Sequence, residues 1–413
     1  MRVGLFTESY APVINGVSTS VRTLAEELLR LKHRPVIIAP RFPGFALGVS
    51  PLPEYADVLL GTGEPEVWRI WSWRTPLNPD NPFAFPPLPF VSPPALRHLE
   101  ADIIHTQQPF GMGRHGRAQA HRLGVPLVST FHTLYTEYAH YAWFAPRIVV
   151  RRYVVGALRR YYRTCDAIIV PSREAGRRLQ QFTDVAAEQL HVVPTGVPDP
   201  APVSPQDAAA VRDAYDIRPD TPLLLFVGRL APEKNLDLLI DAFADVLRRY
   251  DTDNKRPNLL IVGSGPYRAG CERQVARRGV AEHVRFTGYL TRDKLAPIYA
   301  AATLFAFPSA TETQGVVLSE AQGYGLPCIV VNGGGAPEFV RANVDALVVP
   351  STVPAFANAV HDLLTDDAKR EAFAAAACHS PLRPTPAGMA SQIVDVYEAA
   401  HALCRRTARK PLR

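Results

Sequence analysis

Short apolar runs alternate twice along this chain with stretches of helical spacing, and that alternation leaves few folds open. Residues 2–7 read as a strand, and a polar loop with Asn15 and Gly16 follows. From Val17 the apolar positions Val21, Leu24, Ala25, Leu28 and Leu31 keep helical spacing. Further strands are predicted at 36–39, 102–105, 126–130 and 167–170, with helices near 114–123 and 173–182. The pattern breaks between residues 198 and 222, which read as a linker with one helical turn. It restarts at Leu223-Leu-Leu-Phe-Val227 and continues with strands at 259–262, 284–287, 304–307, 328–331 and 347–349. Such alternation builds a parallel, doubly wound α/β sheet, and its restart builds a second. A length of 413 residues suits two domains of roughly 200 residues each, predicted at 1–198 and 218–384.

Composition narrows the class. With 47% hydrophobic and 20% charged residues the chain is ordinary globular material. Five cysteines, an odd number without Cys-x-x-Cys spacing, point to a reducing, cytoplasmic setting and away from a zinc site. Met1-Arg-Val-Gly-Leu-Phe-Thr reads as a strand rather than a leader, and no apolar window is long enough to span a membrane. A net charge of +6 and a pI near 9.1 fit an anionic partner without choosing among nucleic acid, membrane surface and nucleotide.

Chemistry concentrates in Ser309-Ala-Thr-Glu312-Thr-Gln-Gly315-Val-Val-Leu-Ser-Glu320-Ala, between a buried-strand pattern and a helix start. Gly315 allows close backbone approach, and the free N–H groups from Val316 onward would face an anion. Glu312 in the loop and Glu320 on the helix offer acceptors to hydroxyls at different points of one ligand. Gly325-Leu-Pro327 and Gly333-Gly-Gly-Ala-Pro-Glu338 follow. This segment resembles the donor-binding half of the family-four retaining glycosyltransferases. The resemblance implies the GT-B fold: two facing Rossmann-like domains with a cleft between them, and a last helix, about 385–413, returning to the first domain. Gln314 makes the segment most similar to bacterial diacylglycerol glucosyltransferases.

Gly228-Arg229-Leu-Ala-Pro-Glu-Lys234-Asn235 stands between an apolar strand and a helix predicted at 236–250. Arg229 and Lys234 can converge on one pyrophosphate, the guanidinium bidentately and the ammonium as a point charge. The resemblance assigns them that role. It also places Gly16 against the donor diphosphate and His132 beside the transferred sugar. The run Phe131-His132-Thr133-Leu-Tyr135-Thr-Glu-Tyr138-Ala-His140-Tyr141 resembles that of diacylglycerol glycosyltransferases, which makes Tyr135, Tyr138, His140 and Tyr141 acceptor-side candidates.

Residues 138–165 hold no Asp or Glu, while six arginines fall among aromatic residues. On a helix, Arg152, Arg159 and Arg163 lie within roughly 40° of one another, opposite Val150, Val154, Ala157 and Tyr161. Such a helix suits an anionic membrane surface. Two motifs are discounted. Gly111-Met-Gly113-Arg-His-Gly116 has a dinucleotide spacing but does not belong to the first strand-helix unit. Asp251-Thr-Asp253 copies a metal motif but trails a helix, so no metal or other cofactor is expected. Residues 76–94, with eight prolines in 19 residues, can be neither helix nor central strand and read as an extended surface segment.

The resemblance thus implies a retaining hexosyltransferase using a nucleotide-diphosphate sugar, UDP-glucose or UDP-galactose, and a diacylglycerol-type acceptor at the inner membrane surface. A GDP-mannose-dependent transferase acting on phosphatidylinositol is the enzymatic alternative, and a non-catalytic sugar-nucleotide sensor the alternative of another class. Nucleic acid is not an expected partner.

Overall fold

The computed structural model describes residues 1–13, 15–41, 65–70, 72–75, 78–84, 94–133, 147–250 and 255–407. Two compact units emerge, one of Met1–Gly196 with the chain from Thr385 onward, the other Val197–Pro384.

The first unit carries β1 (Arg2–Phe6), α1 (Gly16–Arg30), β2 (Arg34–Pro40), β3 (Glu66–Ile70), β4 (Ser72–Thr75) and β5 (Asn78–Ala84). After them come β6 (Ile103–Thr106), α2 (Met112–Leu123), β7 (Leu127–Thr130), α3 (Arg147–Tyr162), β8 (Ala167–Val170), α4 (Arg173–Phe182) and β9 (Leu190–Val192). Its parallel sheet has the order β3-β2-β1-β6-β7-β8-β9. Successive residues of a strand point to opposite faces, and both faces are covered. Phe6, Ile104 and Ile168 enter one core, while Leu5, Ile103 and Ile169 enter the other. Double coverage explains why these strands read as unbroken apolar runs.

The second unit carries α5 (Pro205–Ala214), β10 (Leu223–Val227), α6 (Leu236–Arg248), β11 (Asn258–Val262), α7 (Arg268–Arg278), β12 (Val284–Gly288) and α8 (Arg292–Ala301). It continues with β13 (Leu304–Phe307), α9 (Val316–Gly323), β14 (Cys328–Val331), β15 (Ala346–Val349), α10 (Val353–Thr365) and α11 (Asp367–Cys378). Its parallel order is β12-β11-β10-β13-β14-β15, again with an apolar core on each face. Chain direction across each sheet reverses once, between β1 and β6 and between β10 and β13. In open parallel sheets the loops at the carboxyl ends of the strands beside such a reversal are where ligands bind.

One expectation is corrected and another refined. The stretch expected to be a linker contains α5, a three-turn helix capped by Ser204. Arg212 anchors it by donating to the carbonyl of Ala301 at the end of α8. None of its residues is fully buried, but Ala208 and Val211, with Tyr215 just beyond, pack against the core of the second unit, a short apolar stripe that extends the single helical turn expected here. In the proline-rich stretch, β5 pairs antiparallel with β4 in a separate two-stranded sheet, and Pro94–His98 is a short 3₁₀ helix. Residues 76–77 and 85–93 lie outside the described residues, as do 251–254, with Asp251 and Asp253, and the basic end 408–413.

The last helix, α12 (Pro386–Thr407), belongs to the first unit. Met389, Ala390, Ile393, Val396, Tyr397 and Ala400 face Val21, Leu24, Ala25 and Leu28 of α1 in one core. Its Tyr397 hydroxyl lies 2.7 Å from His105 Nδ1, whose Nε2 lies 2.7 Å from Thr130 Oγ1. Burial pushes the His105 imidazole down to about 3, the neighbouring His132 adding to the effect. The folded value lies below that of the unfolded chain, so the unfolded state takes the proton first as pH falls. Stability is therefore lost between pH 6.5 and about 3, at about 1.4 kcal/mol per pH unit for each such group. All four tryptophans belong to the first unit. Urea unfolding followed by tryptophan fluorescence should show a steeper loss of stability from pH 6 to 4 in the parent than in His105→Gln; equal slopes would refute this linkage.

Candidate active site

In the second unit, the loops after β10 and β13 are stitched together beside the switch point. The Asn235 amide donates to the Pro308 carbonyl at 3.1 Å and to Ser351 Oγ at 3.2 Å. The hydroxyls of Ser309 and Thr311 both donate to the Glu233 carbonyl, at 3.1 and 3.3 Å. These bonds fix the 3₁₀ turn Pro232–Lys234 against the opposite loop and bring the Lys234 ammonium onto Glu312 Oε1. Both side chains are about four-fifths buried, which shields the pair from water more than a surface salt bridge. Arg229 stands exposed at the end of β10.

Gly315 precedes α9 with φ at 87°, and a Cβ there would stand 2.8 Å from the Phe307 ring. Only glycine fits that conformation and that contact. No side chain caps α9; the Leu318 N–H donates to the Gly315 carbonyl at 2.9 Å, and the N–H groups of Val316 and Val317 at the helix start have no capping side chain as acceptor. Farther along α9, the Tyr299 hydroxyl donates to Glu320 Oε2 at 2.9 Å, and the Tyr299 ring stacks on Tyr324. Burial raises the Glu320 carboxyl above the usual range, countered by the Tyr299 hydrogen bond and the charge of Arg292.

In the first unit, Gly16 opens α1 with open space around its Cα. The end of α1, unlike that of α9, is closed by its own chain. Asn15 Oδ1 accepts from the Ser18 N–H at 2.9 Å, and Ser18 Oγ accepts from the Asn15 N–H at 2.8 Å. The expected phosphate cradle is therefore narrower than the sequence suggested, because a capping box uses donors an anion would have taken. The discounted glycine motif is filled from within. Glu8 Oε1 accepts from the Met112 N–H at 3.1 Å, and a Cβ on Gly111 would overlap that oxygen at 1.6 Å.

His132 follows β7, with Nε2 2.8 Å from Gln107 Oε1. Burial pushes its imidazole down to about 4, so the ring is neutral near pH 7 and supplies no positive charge. Tyr135, Tyr138, His140 and Tyr141 lie outside the described residues.

The basic face of α3 differs from expectation. Arg152 is exposed, but Arg159 and Arg163 share Asp184, with 3.4 Å for the Arg159 pair. That carboxylate comes from beyond α4, so a charge count over 138–165 could not include it. Ile148, Val149 and Tyr153 are 70%, 56% and 68% exposed, while Leu158, Tyr161 and Tyr162 are buried. The apolar residues thus divide between the core and an exposed patch beside Arg151 and Arg152.

Several partners escaped the sequence reading. Tyr299 is 21 positions from Glu320 and carries no motif. Ser264, whose carbonyl accepts from the Leu230 N–H at 2.9 Å, braces the Arg229 loop from the turn after β11. The Gly335 N–H donates to the Glu312 carbonyl at 2.7 Å. A tandem of glutamines, Gln107-Gln108, directly after an apolar strand was the available signal for the first unit's site.

Two parallel, doubly wound units with polar loops gathered at their switch points define the GT-B class. The chain belongs to the family-four glycosyltransferases. A family model described as Glycosyl transferases group 1 matches residues 207–379, and one described as Glycosyltransferase Family 4 matches residues 14–199. An alpha-monoglucosyldiacylglycerol synthase of Streptococcus pneumoniae is 31% identical over 80% of this chain and 70% of its own length. A GDP-mannose-dependent alpha-mannosyltransferase of Corynebacterium glutamicum is 27% identical over 98% of this chain and 91% of its own. Among solved structures, Anabaena HepE in complex with UDP and glucose superposes with a TM-score of 0.74 at 20% identity, over 97% of this chain and all of that one.

Proposed function

We propose that this glycosyltransferase transfers a hexose, with retention, from a UDP-sugar to the hydroxyl of a diacylglycerol-type lipid at the inner face of the cell membrane. The observation that carries the reading is the convergence of Lys234, Glu312 and the uncapped start of α9 on one switch point. Arg229, Lys234 and the α9 N–H groups at Gly315 and Val316 would neutralise the charge that grows on the diphosphate as the glycosidic bond breaks. Lys234 has three N–H donors and gives one to Glu312, leaving others for phosphate oxygens. Glu312, oriented by that bond, accepts from sugar hydroxyls, and Glu320, held by Tyr299, accepts from the ribose. Gly16 admits the diphosphate closely from the first unit, and neutral His132 serves the transferred sugar. With two cations at the leaving group, transfer should continue in EDTA.

A lipid acceptor is supported by the names of the relatives, two of them alpha-monoglucosyldiacylglycerol synthases, by Gln314, and by the basic, apolar patch on α3. Among the described residues, no helix is long and apolar enough to cross a membrane, so membrane contact would be peripheral, through α3 and the neighbouring Tyr135, Tyr138, His140 and Tyr141. The second reading, a GDP-mannose donor with a phosphatidylinositol-type acceptor, is favoured by the relative that matches nearly the whole chain. A donor-by-acceptor screen run in EDTA separates the two, and the absence of any transfer or donor hydrolysis would leave a binding protein.

The two glutamates should behave differently. A charged hydrogen bond contributes about 1.5 to 3 kcal/mol, so Glu320→Ala should weaken UDP and UDP-sugar alike by roughly 10- to 100-fold. Glu312→Ala should leave UDP binding intact or slightly tighter, since Lys234 loses a competing anion, while kcat/KM falls about 100-fold or more. Calorimetry with UDP beside transfer kinetics decides the matter; a comparable loss of UDP affinity in both variants would overturn the division of roles.

On anionic vesicles, replacing Ile148, Val149 and Tyr153 together by Ser should abolish most sedimentation. Replacing Arg159 and Arg163 by Gln should cost much less, because Asp184 already offsets them. Equal losses would remove the exposed patch from the membrane role.

A further inference from the structure

The end of β6 is a hub. Its four consecutive residues, all nine-tenths or more buried, reach four different elements of the first unit. His105 joins Tyr397 of α12 and Thr130 of β7, and the Thr106 hydroxyl lies 2.6 Å from that of Tyr161 on α3. Gln107 meets His132 after β7, and the Gln108 side chain hydrogen-bonds Glu8 after β1. We propose that Gln107 is the positioning residue of the sugar-side site: its carboxamide oxygen holds His132 in one ring orientation, with the proton on Nε2. The inference deepens the reading of His132 given above and rests on it.

Three observations converge on Gln107. Its oxygen can only accept, so the 2.8 Å contact places the proton on the His132 Nε2. Its backbone N–H donates to the Phe6 carbonyl at 2.9 Å, extending the β1–β6 ladder by one residue, so the carboxamide stands on the rigid sheet at the switch point. Its own Nε2 is buried without a hydrogen-bond partner. An apolar side chain of the same size would avoid that penalty. A local rule broken at a ligand-binding crevice marks a residue kept for what it does to its neighbour. With the ring neutral, tautomer and orientation are the properties of His132 that a neighbour can set. Among the described residues, His105 is a titratable group coupled to it and is itself held neutral by burial.

The test compares Gln107→Met, which removes the acceptor, with Gln107→Glu, which keeps one. Gln107→Met should lower kcat/KM for transfer by 10- to 100-fold at unchanged UDP affinity and an unchanged urea midpoint. Gln107→Glu should recover most of that loss at neutral pH. Nitrogen-15 spectra of the imidazoles, with His132→Gln for assignment, should show the Nε2–H form at His132 in the parent and a changed tautomer balance in Gln107→Met. This readout needs no turnover, so a parent that transfers to none of the screened acceptors refutes the lipid reading without touching the inference. An Nδ1–H form in the parent, an unaltered tautomer in Gln107→Met, parental transfer rates in that variant, or equal losses in both variants would each overturn it.

Discussion

A strand covered by helices on both faces can carry polar groups only at its ends, and both sheets of this protein consist mostly of such strands. Each apolar residue of β10 or β13 enters one core or the other, so the chemistry is pushed into the loops at the carboxyl ends. The reversal of strand order at β1/β6 and β10/β13 marks the place where sheets of this kind bind their ligands. The placement of Lys234, Glu312, Gln107 and His132 follows from that constraint before any individual hydrogen bond is considered.

Individual bonds then determine what the loops can do. The Lys234–Glu312 pair exists because two hydroxyls, Ser309 and Thr311, converge on the Glu233 carbonyl, locking the backbone from which Lys234 projects. Removing one member of a largely buried pair strands the other, so the two side chains are coupled. Glu320 is tuned separately: burial favours its neutral form, whereas Tyr299 and Arg292 favour the carboxylate.

In the first unit α3 serves two environments. Its inner face reaches β6 through Tyr161 and Thr106, while Ile148, Val149 and Tyr153 remain exposed near its start. The same helix therefore supports the hub that holds Gln107 and presents the patch assigned to the lipid surface. The Asp184 contact offsets Arg159 and Arg163, while Arg151 and Arg152 stand exposed beside that patch.

The alternation of apolar runs determined by itself that there are two doubly wound parallel sheets, because burial on both faces leaves a one-dimensional signature. Local motifs likewise marked Arg229, Lys234, Glu312, Gly315 and Glu320, since a loop at a strand's end is contiguous in sequence. Helix α5 was read only as a helical turn because its apolar stripe, Ala208 and Val211 with Tyr215 beyond, is short and none of its residues is fully buried; Arg212 bonds to the Ala301 carbonyl add to its anchoring. Only the tertiary structure decided that Tyr299 braces Glu320, that Asp184 neutralises Arg159 and Arg163, that Asn15 and Ser18 close the end of α1, and that Gln107 meets His132. Most of these partners lie about twenty to twenty-five positions apart in the chain, and contacts across such separations depend on which strands are neighbours. The capping box is the local exception: its residues were in view, but the direction of its side chains became readable only once the helix start was built.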